Sequence, residues 1–235
     1  MKNEEIDDLL KRATPAPQDL DPLVLKRIGE SITPSLRPVR PLPPLWLTAL
    51  GLVLACAAVS LAGAARAGFL GFAKMNLLDR SLVFSALGLL AWFAAIGFVH
   101  QMTPASRLRV SPITLLTLSS VALLAVFADL FRDYHTDHFL SVGITCLLTG
   151  FLHAIPAGLL SWLMLRRGFA VNPTSAGLIG GMLGGLAGVA MLELHCPNFQ
   201  AAHILVWHTA VVPVSAALGA LLGRELRSSA PSDGH

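Results

Sequence analysis

The sequence predicts an all-α polytopic membrane protein, with six transmembrane helices, a short cytoplasmic N-terminal helical region and both termini inside. Three observations carry this. Only 13% of the 235 residues are charged and 54% are hydrophobic, whereas a soluble domain carries about 25% charged residues. Residues 1–44 hold 14 of the 31 charges, so the other 191 residues share only 17. Six stretches lack Asp, Glu, Lys and Arg, at 41–65, 81–106, 110–128, 138–165, 168–192 and 194–223. A helix crosses a bilayer with roughly 20 apolar residues. So few charges could not cover a water-soluble globule of this length, which argues against a soluble enzyme. The Lys and Arg are scattered and the net charge is only +3, so no basic patch marks direct nucleic-acid binding.

Residues 1–44 read as two short helices and a linker. The first spans about 3–12, with Asn3 as N-cap, Glu4 and Glu5 in the first turn, and Lys11 and Arg12 at the end. Ile6, Leu9 and Leu10 form its apolar stripe, and Thr14-Pro15-Ala16-Pro17 ends it. The second spans 22–32. Asp21 caps it, Pro22 takes the first helical position, and Leu25, Ile28 and Ile32 share a face beside Leu20 and Val24. Pro34, Pro38, Pro41, Pro43 and Pro44 stiffen the approach to the membrane. Helices this short are marginal alone in water. Their stripes suit either a groove on a partner protein or a tail resting on the bilayer surface. The head has seven charges of each sign, which argues against a polybasic lipid anchor.

Trimming polar and Pro-rich ends places the spans at about 45–65, 82–99, 111–130, 139–164, 174–193 and 200–222. The sensor domain is thus 45–223, followed by a cytoplasmic tail, 224–235. The run Ala64-Ala65-Arg66-Ala67 resembles a cleavage site, but 44 residues precede the apolar run, so the first span reads as retained. With the N-terminus inside, 13 of the 17 Lys and Arg are cytoplasmic, and only Arg66, Lys74, Arg80 and Arg132 lie outside. Gly177, Gly181 and Gly185 form one small-residue row on the fifth span, and Gly180, Gly184 and Gly188 another. Such rows let helix backbones approach closely in lipid. They suit tight packing inside one bundle, or a homodimer through the fifth span.

Cysteines and histidines gather at the outer side. Cys146 lies about two turns into the fourth span, and Cys196 lies in the loop between spans five and six. Cys56 lies mid-span and reads as a packing residue. An oxidising exterior allows a Cys146–Cys196 disulfide, although spacing alone does not show proximity. His195 adjoins Cys196, His203 is one turn into the sixth span, and His208 is deeper. His153 follows Cys146 by seven residues, so both can share a helix face. Soft transition or heavy metals favour thiolate with imidazole. Cys146, Cys196 and His203 could hold one, completed by His195 or His153. The chain has no CxxC or HxxxH spacing of a structural zinc site, and each histidine also reads as a satisfied polar residue or helix-end cap. There is no GxSxG, no phosphate-binding Gly loop and no paired intramembrane carboxylates. The chain therefore does not read as an enzyme.

The segment from Leu194 to His208, with its Cys196-Pro197, His203 and Trp207-His208, resembles the signature of the NrsF-like membrane anti-sigma factors. Cys146, the Leu165-Arg166-Arg167-Gly168 turn, the Gly-rich fifth span and the Leu9-Leu10 head with its Pro-rich linker fall in a similar order. The resemblance implies a negative regulator. The head would hold an extracytoplasmic-function (ECF) sigma factor at the bacterial inner membrane, and heavy-metal ions or oxidation at the outer-side cysteines would release it. The competing classes are a membrane thiol or metal-dependent oxidoreductase and a metal transporter. Cysteines 50 residues apart, with no carboxylate placed as a base, argue against the first. The lack of a continuous polar path across the spans argues against the second.

Overall fold

The computed structural model describes residues 21–32, 43–103, 110–167, 170 and 172–228. The chain divides into two compact units, Met1–Leu42 and Pro43–His235. In the first, α1 (Pro22–Ile32) is the expected second helix of the head. The Asp21 carboxylate accepts the Leu23 N–H at 2.9 Å, and its carbonyl accepts from Val24 and Leu25. Leu23, Val24, Leu25 and Ile28 are exposed along it. The expected helix at 3–12, with Ile6, Leu9 and Leu10, lies outside the described residues, as does the side chain of Ile32.

The second unit is built of helices joined by loops, and among its described residues no strand occurs. Its helices are α2 (Leu45–Ala67), α3 (Leu70–Lys74), α4 (Leu77–Gln101), α5 (Pro112–Leu130), α6 (Phe139–Arg167), α7 (Pro173–His195), α8 (Ala201–His203) and α9 (Thr209–Ser228). A π-helical turn, Ile204–His208, joins α8 to α9. Six helices are long and apolar enough to cross a membrane: α2, α4, α5, α6, α7 and the continuous Ala201–Glu225. These are spans one to six of a membrane protein. Leu54, Leu89, Phe93, Leu118, Leu152 and Leu221 point outward from them, as lipid-facing side chains do and as a water-soluble bundle would not allow.

Local chemistry sets the ends. Ser111 caps span three and Asn172 caps span five, each ahead of a Pro at the first helical position. Span two begins at Leu77, five residues before the charge-based expectation. The Asn76 side chain accepts the Asp79 N–H at 2.9 Å, so Asp79 and Arg80 sit inside the first turn rather than before it. The Arg80 guanidinium lies 4.3 Å from the centre of the Phe72 ring. A carboxylate in the first turn suits the helix dipole, so two charges do not end this span.

Span five is the hub: 78% of its core window is buried, against at most 39% in any other span. A side chain at Gly177, Gly181 or Gly185 would strike span six, at Gly219, Ser215 and Val212 respectively. One at Gly184 or Gly188 would strike span four, at Ala154 and Gly150, and one at Gly180 would meet Phe98 and Ser161. Both rows are therefore covered by spans of the same chain. Ser60 on span one ties in as well, donating to the Ala187 carbonyl at 2.7 Å.

A substitution pair isolates this packing. Gly181→Leu drives a side chain into the Ser215 backbone and should cost at least the 1–3 kcal/mol typical of overpacking. Gly88→Leu, where a Cβ would meet nothing within 4 Å, should be tolerated. Thermal unfolding in detergent should show a lowered midpoint for the first variant only. Equal midpoints would mean that the glycine row does not bear the packing.

Candidate functional site

The loops joining spans one to two, three to four and five to six meet at one end of the bundle. Gly68, at φ +100°, turns the chain out of span one, and its carbonyl accepts the His195 Nδ1–H at 3.1 Å. Helix α3 then lies directly on the chain before span six. A Cβ on Gly71 would come within 2.6 Å of the carbonyl oxygens of Glu193 and Cys196, so only glycine lets α3 sit there. Lys74 Nζ donates to the Pro197 carbonyl at 3.1 Å. From the other side, Ala201 donates its N–H to Asp133 at 2.5 Å, and Phe131 stacks on Phe199 with ring centres 5.4 Å apart.

This frame holds Cys196 against span four. The Sγ atoms of Cys146 and Cys196 are 3.6 Å apart, both as thiols. Closing to a disulfide bond of about 2.05 Å needs a shift of about 1.5 Å. The Nε2 of His203 lies 3.7 Å from the Cys196 sulfur. His208 completes the group: Cys146, Cys196, His203 and His208 each offer a donor atom, and these atoms lie within 4.8 Å of one another. Cys196, His203 and His208 are buried, and Cys146 is half-buried.

Two expected neighbours face elsewhere. His153 donates from Nδ1 to the Thr149 carbonyl at 2.8 Å and packs on Gly63 of span one. His195 is turned to Gly68. His208, rather than His195 or His153, stands beside the donors of Cys146, Cys196 and His203. His135 lies outside the group on the third-to-fourth loop, paired with Asp133. Donating a hydrogen bond to that carboxylate holds the His135 pKa above its ordinary value.

The π turn explains how His208 comes beside His203, which α-helical spacing does not imply. Residues five apart on an α-helix are about 140° apart around the axis. In a π turn the hydrogen bond runs five residues back, and here Thr209 N–H reaches the Ile204 carbonyl. His203 and His208 are thereby brought together edge to face, with ring centres 5.1 Å apart. Trp207 turns to span four, packing on Gly143 and 5.4 Å from the Phe139 ring centre.

Glu193 is a partner that sequence reasoning missed. Its Oε1 accepts the His208 Nδ1–H at 2.6 Å, with both side chains buried. A carboxylate at the apolar end of span five was the available signal, because such a group needs a partner. Chemically, the arrangement can be oxidised to a disulfide or can offer soft donors to a metal ion. The family model NrsF, described as negative regulator of sigma F, matches residues 33–227. No curated protein and no solved structure matches the chain.

Proposed function

This chain belongs to the NrsF family of negative regulators of sigma F, and on that premise we propose that it holds an ECF-type sigma factor at the bacterial inner membrane and releases it on a heavy-metal or oxidative signal. Both termini face the cytoplasm in this reading, which the distribution of Lys and Arg supports. The observation that carries the sensing role is the Cys146–Cys196 pair, with its sulfurs 3.6 Å apart at the end where the odd-numbered spans exit. The family match begins at residue 33, so the sigma-binding role of the head rests on its own residues, chiefly Leu25 and Ile28 exposed on α1 and the stripe of Ile6, Leu9 and Leu10. Within this reading 1–44 binds the sigma factor, 45–223 senses and 224–235 is a tail. A homodimer through span five is less well supported, because this chain's own spans cover both glycine rows.

Release requires two packings of the bundle that bind the sigma factor with different affinity. A tenfold difference needs about 1.4 kcal/mol, well within what a metal–thiolate site or a disulfide supplies. The test joins topology to retention. Reporter domains fused after Arg227 should be active only as cytoplasmic reporters, and a co-expressed sigma factor should fractionate with the membrane until cadmium or an oxidant is added. A periplasmic signal after Arg227, or a sigma factor that stays soluble throughout, would overturn the reading.

A further inference from the structure

The two thiols stand among more donors than a dithiol switch requires. We propose that Cys146, Cys196, His203 and His208 form a closed four-donor site for a soft divalent cation, with Glu193 as the positioning carboxylate of His208. The proposal deepens the sensing reading of the two thiols and rests on it for the site's physiological use.

Donor geometry is the first argument. Metal–sulfur bonds of about 2.3 Å and metal–nitrogen bonds of about 2.0 Å, set tetrahedrally, place two sulfurs about 3.8 Å apart and a sulfur and a nitrogen about 3.5 Å apart. The separations here are 3.6 Å for Cys146–Cys196 and 3.7 Å for Cys196–His203. The four donors already stand at most 4.8 Å apart, so loading needs side-chain adjustment and no rearrangement of spans. The ligands come from three places, on span four, the loop after span five and the first turns of span six, which is why no short-range cysteine or histidine spacing announces the site.

The state of His208 is the second argument. In its neutral form, with Nδ1–H donated to Glu193, His208 carries its lone pair on Nε2. Among the described residues, that buried Nε2 has no hydrogen-bond partner. A buried polar atom without a partner is costly, and a carboxylate on the far nitrogen is the arrangement that orients metal-binding histidines. Among the described residues, the Glu193 side chain has His208 as its hydrogen-bond partner.

Charge balance is the third. When a divalent cation enters, the two thiols give up two protons to solvent and become its thiolate ligands. No net charge is added to an apolar setting, where an uncompensated charge is expensive. A monovalent or trivalent ion would leave one. With all four positions supplied by the protein, the site binds without leaving an open coordination position for catalysis.

Cadmium titration of the purified full-length chain in detergent, under reducing conditions and without sigma factor, tests this. One Cd2+ per chain should bind with thiolate-to-metal charge-transfer absorption, two released protons and a cadmium NMR shift for two sulfurs and two nitrogens. Glu193→Gln should weaken binding about tenfold to a hundredfold with the same stoichiometry and an unchanged metal-free unfolding midpoint. His208→Cys should move the cadmium shift to that of three sulfurs, which a merely structural His208 would not do. Wild-type affinity in Glu193→Gln, or an unmoved shift in His208→Cys, would overturn the proposal. The two readings fail separately. Cadmium bound as described without sigma release would sink sensing and leave the site standing. Release by oxidant from a chain that binds no cadmium would sink the site and leave the thiol pair.

Discussion

Polar replacement of Leu9, Leu10, Leu25 and Ile28 frees the sigma factor from the membrane fraction while the six-span bundle stays folded. Leu25 and Ile28 stand 52% and 46% exposed on α1, so roughly half of each side chain remains to be covered by a partner. Full burial of a Leu or Ile is worth about 1.5–3 kcal/mol. Half of that from Leu25 and Ile28 alone is about 1.5–3 kcal/mol, which weakens binding at least tenfold. All four positions precede the six spans in the sequence, so the unfolding midpoint of the bundle should not move. Co-sedimentation of sigma factor with membranes carrying the variant reads the effect. Retention equal to wild type would show that the head does not hold the partner through these stripes.

Loss of the Cys146–Cys196 pair abolishes induced release without abolishing repression. Serine keeps the size of the side chain but removes the soft nucleophile and metal ligand. Neither a disulfide nor a two-sulfur metal site can form with one cysteine, so each single variant should fail as completely as the double. Cys56→Ser should respond like wild type, because Cys56 is buried mid-span beside Ser60 rather than among the four donors. Reporter transcription from a sigma-dependent promoter, with and without cadmium or peroxide, distinguishes these cases. A full response in the double variant would remove the pair from the mechanism.

Much of the fold is legible in the sequence because lipid imposes a crude rule. Long charge-free stretches announced all six spans, and their middles needed no further information. Span two shows where the rule stops: Asp79 and Arg80 look like a loop, yet the Asn76 cap and the Phe72 ring hold them in the first helical turn. The glycine rows of span five announced close approach, but only the structure assigns one row to span six and leaves the other to spans two and four. At the candidate site, depth below the membrane surface linked Cys146, Cys196 and His203, because depth follows from counting residues along helices. Direction around a helix axis follows from counting only if the helix is regular. The π turn breaks that regularity between His203 and His208, so counting named His208 as a candidate without placing it beside His203 or pairing it with Glu193.

The same turn has an evolutionary consequence. A π turn encloses one residue more than an α turn, so it behaves as a single-codon insertion absorbed within Ile204–His208. Removing one codon there would let the helix close regularly and swing His208 away from Glu193. The downstream contacts of Gly219 and Gly223 with span five could keep their register. Descendants of one ancestral bundle can thus gain or lose the second imidazole by one small indel, leaving the hydropathy profile and the scaffold unchanged.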